Sequence, residues 1–123
     1  MPSELQPVSL KITQPRINAY AKITRDPNPI HLDAEFAATT EMRGIIAHGT
    51  LSLNLLWRAL AGTFGAEACD GAEMDVRFVR PVRVDDVVTA AGHRDEADPS
   101  RYLVQVTNQA GEAVITGWAR PGT

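Results

Sequence analysis

The amino-acid sequence predicts an α+β domain in which an antiparallel sheet wraps around one central helix. Two observations predict this class. Residues 50–60 place leucine and alanine at helical spacing almost around the cylinder, which is the pattern of a largely buried helix. After this helix, several segments alternate apolar and polar side chains, as antiparallel strands do. The length of 123 residues suits one hydrophobic core, so we expect a single domain over residues 1–123.

The first part of the chain predicts a short strand and two helices. Residues 8–13 alternate like a strand, and Pro15 suits the first turn of a helix over residues 16–23. Pro27 and Pro29 then end that helix and stiffen the loop of residues 25–29. Asp33 is predicted to cap a second, short helix that reaches residue 38.

The second part predicts the central helix and most of the sheet. The helix starts near Thr50 and ends near Gly62 or Gly65, where glycine can adopt the left-handed conformation. Strands are predicted over residues 72–78, 84–93, 102–107 and 112–120, with a hairpin connection at residues 108–111. His93 is predicted to lead into a surface turn. A small sheet leaves an unpaired edge strand, so we expect a homodimer through edge-to-edge pairing.

Composition excludes several classes of protein. Apolar residues make up 44% of the chain and charged residues 22%, as in folded globular proteins. The net charge of −3 comes from scattered residues, so we expect no nucleic-acid partner. Cys69 is the only cysteine, which fits a cytoplasmic protein without disulfides, and no Cys/His cluster has zinc spacing. No segment is apolar over a membrane-spanning length, so we expect no membrane partner.

The densest chemical signal is a carboxylate and an imidazole on one stiff segment. Asp26 and His31 flank the Pro27-Asn28-Pro29 sequence, which fixes the backbone between them. Such a pair can hold one water and move its protons near neutral pH. A structural interpretation stays open at this point, in which Asp26 and Asn28 only form turns and His31 is half-buried packing.

A second signal stands at the start of the central helix. His48 and Gly49 directly precede the helical pattern, so the free N–H groups of the helix start lie there. The Gly49 amide can stabilise an oxyanion in this position. The alternative is that Gly49 only provides a tight turn and His48 only packs locally.

Residues 20–37 read Tyr-x-x-Ile-Thr-x-Asp-x-Asn-Pro-Ile-His-x-x-x-x-Phe-Ala, and this pattern resembles the signature of MaoC-like hydratases, also called hydratase 2. Similar family segments follow in the same order at residues 46–49, 77–86 and 107–112, so the resemblance covers roughly residues 8–120. It implies a hotdog fold and (R)-specific hydration of trans-2-enoyl-CoA. It also implies Asp26 and His31 as the catalytic pair and the Gly49 amide as oxyanion donor, and we expect Asn28 to contact the substrate. No metal or other cofactor is implied beyond the coenzyme A thioester.

Two positions depart from the family pattern. Arg25 stands where many members have glycine, and Trp57 stands where some have a small hydroxyl residue. We expect Trp57 to fill core rather than to shorten the acyl tunnel.

Three alternatives compete with the hydratase hypothesis. The first is a dehydratase acting on an acyl carrier protein or on a specialised acyl-CoA. The second is a non-catalytic partner subunit of a heteromeric hydratase, which an intact Asp26 and His31 disfavour. The third is a thioesterase of the same fold, which the absence of Asp and Glu from residues 50–60 disfavours. The sequence does not show the acyl-chain length or the physiological direction of the reaction. It also does not show which of the two catalytic residues transfers which proton.

Overall fold

The computed structural model describes residues 2–122. The strands are β1 (Val8–Lys11), β2 (Glu73–Phe78), β3 (Val87–Arg94), β4 (Tyr102–Thr107) and β5 (Ala113–Arg120). The helices are α1 (Gln14–Thr24), α2 (Pro29–Leu32), α3 (Ala34–Ala38) and α4 (Gly49–Phe64), followed by a 3₁₀ helix (Ala66–Cys69). No helix among residues 2–122 is long and apolar enough to cross a membrane.

The five strands form one antiparallel sheet in the order β1-β3-β4-β5-β2. The strands β3, β4 and β5 follow one another in the chain and in space, as the alternating patterns predicted. The strand β2 precedes them in the chain but pairs with β5, so it forms one edge of the sheet. The hairpin between β4 and β5 closes with a hydrogen bond from Asn108 N–H to Glu112 O (2.9 Å).

The helix α4 packs one face against this sheet, which confirms the predicted α+β class. Its residues Leu55, Leu56, Ala59 and Leu60 are at most 1% exposed and belong to the main hydrophobic core. The predicted burial around nearly the whole cylinder was too broad, because the sheet covers only one side. The opposite face carries Asn54 and Arg58, which are exposed.

Local capping fixes most helix ends where the sequence predicted them. The side chain of Asp33 accepts from Glu35 N–H and Phe36 N–H and so caps α3, as predicted. The helix α4 ends before Gly65, which has a φ of 95°.

His93 lies in β3, as predicted, where it pairs with Leu103 and is exposed. The strand continues to Arg94, so the predicted surface turn begins one residue later than expected. The next residue, Asp95, is buried, and the hydrogen bond that its carboxylate accepts from Arg101 Nε (2.9 Å) offsets the cost of that burial.

Candidate active site

The Asp26 segment begins where α1 ends in a left-handed turn. Arg25 adopts a φ of 56° and its N–H bonds to Ala21 O, after which Asp26 N–H bonds to the same carbonyl (3.0 Å). The side chain of Asn28 then accepts from Ile30 N–H (3.1 Å) and caps α2. The prolines and this cap therefore hold Asp26 directly before the short helix that carries His31.

His31 is buried, with an exposure of 8%. Its Nδ1 lies 2.6 Å from Ile46 O. A carbonyl oxygen can only accept, so Nδ1 of the neutral ring carries the hydrogen and Nε2 keeps its lone pair. The backbone of the same segment is tied down as well, because Ile46 N–H bonds to Ile30 O (3.3 Å). The structure therefore fixes both the orientation and the tautomer of this imidazole.

A second histidine joins the pair, and sequence reasoning did not select it. His48 is the residue before α4, is 4% exposed, and stacks its ring on that of His31 with centroids 3.8 Å apart. Its Nε2 lies 3.2 Å from Asp26 O and 3.9 Å from Asp26 Oδ2. The only signal in the sequence was its place directly before Gly49.

Gly49 is the first residue of α4, so its N–H belongs to the free amides at the positive end of the helix. A β-carbon at this position would lie 2.9 Å from Phe78 Cε1, so glycine allows the ring to approach the helix start. The next residue, Thr50, accepts a hydrogen bond from Tyr20 OH (2.7 Å), which ties α1 to the same helix end.

A cavity of about 630 Å³ brings these groups together. Asp26, His31, His48 and Gly49 line one part of it, and the side chain of Asp26 is 52% exposed. Much of the remaining wall is apolar and is formed by Met42, Ile46, Ala47, Phe78, Val79, Pro81, Val82, Val114 and Ile115. The arrangement suits a ligand with an apolar chain and one polar reacting group.

Trp57 packs against the core and is not among the residues that line this cavity in the described chain, in line with the expected core role. Asn28 is not among them either, and its Oδ1 is engaged as the cap of α2.

Asp26, His31 and His48 also offer potential metal-ligand atoms that all lie within 4.8 Å of one another. Hydrogen bonds already engage two of the ring nitrogens, since His31 Nδ1 bonds to Ile46 O and His48 Nε2 to Asp26 O. A metal ion that used the His48 nitrogen facing Asp26 would have to displace the hydrogen bond to Asp26 O.

Comparison with known proteins identifies the family. The family model described as a MaoC-like domain matches residues 3–114. The chain belongs to this family. Among solved structures, this MaoC-like chain is similar to the unliganded R-hydratase PhaJ1 from Pseudomonas aeruginosa, with 32% identity and a TM-score of 0.80. That similarity covers 96% of this chain and 77% of the other, and the predicted hotdog fold is confirmed.

Two relatives of similar identity carry functional names. An (R)-specific enoyl-CoA hydratase from Rhodospirillum rubrum is 30% identical over 88% of this chain and 77% of its own length. A 3-hydroxybutyryl-CoA dehydratase from Methylorubrum extorquens is 30% identical over 85% of this chain and 68% of its own length. Both names describe addition of water to an enoyl thioester or its reversal.

Proposed function

We propose that this MaoC-like protein adds water to trans-2-enoyl-CoA and forms (R)-3-hydroxyacyl-CoA, with the reverse dehydration at the same site. One observation carries the proposal. Asp26, His31 and the amide end of α4 at Gly49 line the same largely apolar cavity. An enoyl thioester has matching chemistry, with an apolar chain, an electrophilic β-carbon and a carbonyl that becomes enolate-like during addition.

The tautomer of His31 supports a division of labour between the two catalytic residues. His31 Nε2 has a free lone pair because Nδ1–H is held by Ile46 O, so Nε2 accepts a proton from water. The water oxygen bonds to the β-carbon, and the Asp26 carboxylate orients this water by accepting its other hydrogen. The imidazolium then returns its proton to the α-carbon, which leaves the enzyme unchanged.

The helix start at Gly49 supports the remaining role. In the proposed complex, the thioester carbonyl accepts from the Gly49 N–H, which draws electron density from the β-carbon. The negative charge that develops on this oxygen is stabilised by the same amide. We propose Asn28 as a further substrate contact, through the amide hydrogens that its cap does not use.

The test measures loss of the enoyl absorbance when purified protein meets crotonyl-CoA, octenoyl-CoA and a bulkier enoyl-CoA. We expect loss with at least one of them and a product oxidised only by a dehydrogenase specific for (R)-3-hydroxyacyl-CoA. An (S) product, or no loss with all three substrates, would contradict the proposal.

Hydration changes no net oxidation state, so we propose that no redox cofactor takes part. Activity should also withstand a metal chelator.

A dehydratase is the second candidate, because one relative is named a 3-hydroxybutyryl-CoA dehydratase. The same residues serve both directions, so the two candidates differ in substrate and carrier. Comparison of kcat/KM for enoyl-CoA, 3-hydroxyacyl-CoA and the matching acyl carrier protein thioesters distinguishes them.

We also propose that residues 1–123 form one domain, which assembles as a homodimer through the β2 edge, and that the protein acts in the cytoplasm. The exposure of Phe78 (54%) and Val79 (49%) at the end of this edge strand supports the β2 edge as the interface. Light scattering should give twice the mass of one chain. Val79→Lys should shift the protein toward monomer, whereas Leu103→Lys, at an exposed site on β4, should not. A monomeric wild type would contradict this assembly.

A further inference from the structure

We propose that His48 is a positioning residue for the candidate active site and that the Ser52 hydroxyl serves, through one bridging water, as the hydrogen-bond partner of its second ring nitrogen. The inference rests on the proposed function, because His48 would act on the reaction only by positioning Asp26 and His31. His48 does not need to touch the substrate in this role. It holds the backbone of Asp26 and one face of the His31 ring.

The first observation concerns the Asp26 backbone. The carbonyl oxygen of Asp26 lies 3.2 Å from His48 Nε2. Because a carbonyl only accepts, Nε2 of the neutral His48 ring carries the hydrogen and donates it. The bond joins residues 22 positions apart and ties the exposed Asp26 to the buried His48, which directly precedes α4.

The second observation concerns His31. The two imidazoles are stacked with centroids 3.8 Å apart and an interplanar angle of 28°. Tyr20 packs edge-on against His48 at 5.1 Å, so the stack is supported on another side. Together with the hydrogen bond to Ile46 O, the stack restricts movement of the His31 ring. Restriction matters because misplacing a catalytic group by about 1 Å can cost roughly a hundredfold in rate.

The third observation is a pair of buried polar atoms without partners. Within residues 2–122, His48 Nδ1 and Ser52 Oγ are both buried and neither has a hydrogen-bond partner. Both residues line the same cavity, and Ser52 lies four positions after His48, about one helical turn along α4. With the hydrogen on Nε2, His48 Nδ1 must accept, and a hydroxyl is a donor. Because no direct bond joins the two atoms, one bridging water accepts from the Ser52 hydroxyl and donates to Nδ1, which satisfies both.

Four variants test this role in the full-length protein. His48→Phe keeps a flat ring against His31 but removes the donor to Asp26 O, whereas His48→Gln keeps a donor. We expect His48→Phe to lower kcat by about 10- to 100-fold with less than about a threefold change in KM, and His48→Gln to lose less. Ser52→Ala should lower kcat by about three- to tenfold in the wild-type background. In the His48→Phe background, Ser52→Ala should cause no further loss of kcat, because phenylalanine has no ring nitrogen with which the Ser52 hydroxyl could interact.

Matched controls are Asn54→Ala, on the exposed face of α4, and His93→Phe, at an exposed site on β3; neither should change kcat. The inference is overturned if His48→Phe leaves kcat unchanged or if Ser52→Ala costs the same factor in both backgrounds. It is equally overturned if His48→Phe retains more activity than His48→Gln, because the donor would then be unimportant.

A measurement without substrate separates this inference from the proposed function. Nitrogen NMR of histidine-labelled wild-type protein at neutral or higher pH should show His48 as the Nε2–H tautomer and His31 as the Nδ1–H tautomer. A His48 with its hydrogen on Nδ1 overturns the positioning role, whether or not the protein hydrates enoyl-CoA. If no enoyl thioester is hydrated but both tautomers are as expected, the proposed function fails while the His48 contact stands.

Discussion

The ring of Phe78 packs against Gly49, so that a β-carbon at position 49 would lie 2.9 Å from Cε1 and 3.0 Å from Cδ1. We predict that Gly49→Ala pushes this ring aside and disturbs the cavity wall beside the proposed oxyanion donor. The three atoms nearest to the added β-carbon all belong to the Phe78 side chain and none to the backbone, so the free energy of unfolding should change by less than about 1 kcal/mol. The value of kcat/KM should fall by about tenfold or more. Steady-state kinetics beside urea unfolding checks both parts, and an unchanged kcat/KM would contradict the role of this contact.

Gly62→Ala is the matched change in the same helix. A β-carbon there has nothing within 4 Å, and alanine is the better helix former. We predict a rise in the free energy of unfolding of about 0.5–1 kcal/mol and no change in kcat/KM. A loss of stability would show that this part of α4 is packed differently.

Arg25→Gly should stabilise the protein. Arg25 has a φ of 56°, a left-handed conformation that costs a non-glycine residue about 1 kcal/mol. Glycine removes that strain but gives the unfolded chain more freedom, so we expect a net gain of about 0.5 kcal/mol in the free energy of unfolding. Thermal and urea unfolding measure this gain. A clear destabilisation would mean that contacts of the Arg25 side chain stabilise the fold by more than the strained backbone destabilises it.

The acidic turn after β3 predicts a pH-dependent contribution to stability. The hydrogen bond from Arg101, helped by the N–H of Ala97, holds the pKa of Asp95 below its ordinary value. A lowered folded pKa means that this stabilisation is present above the unfolded pKa of about 3.9 and is lost as the pH falls through the folded pKa. Asp95→Asn should therefore be less stable than the wild type at pH 7.

The difference in the free energy of unfolding between the two proteins should shrink as the pH falls below about 3.9, where the unfolded chain binds the proton, and should be lost below the folded pKa of Asp95. Unfolding by urea at pH 7 and pH 3 measures it. Glu96→Gln, an exposed change in the same turn, is the control. If the free energies of unfolding of wild type and Asp95→Asn differ by the same amount at pH 7 and pH 3, the charge of Asp95 does not contribute to stability.

Local chemistry made much of the fold predictable from the sequence. Pro27 and Pro29 act on their own and neighbouring residues, so the stiff loop before His31 could be predicted. The cap at Asp33 and the helix end at Gly65 are also decided within a few residues. The short helix α2 was not predicted, because Pro29 was interpreted only as the end of the loop and not as the first residue of a helix.

Features that depend on docking between distant elements were not predictable from the sequence. His48 reaches Asp26 across 22 positions, and its stack with His31 depends on where α4 lies relative to α2. Nothing in the alternating patterns placed β2 beside β5, since strand order depends on how the chain crosses the sheet. The left-handed conformation of Arg25 was hidden as well, because arginine gives no local signal for it.

The most direct test of the account compares kcat/KM on crotonyl-CoA, or on the best enoyl-CoA found, for Asp26→Asn and His31→Gln. Each variant nearly preserves the shape of its side chain. The exposed sites Glu35→Gln and His93→Gln serve as charge- and imidazole-removing controls. We predict a loss of at least about a hundredfold for Asp26→Asn, a loss of at least about a thousandfold for His31→Gln, and unchanged values for both controls. Retention of most activity by either site variant would contradict catalysis by this pair.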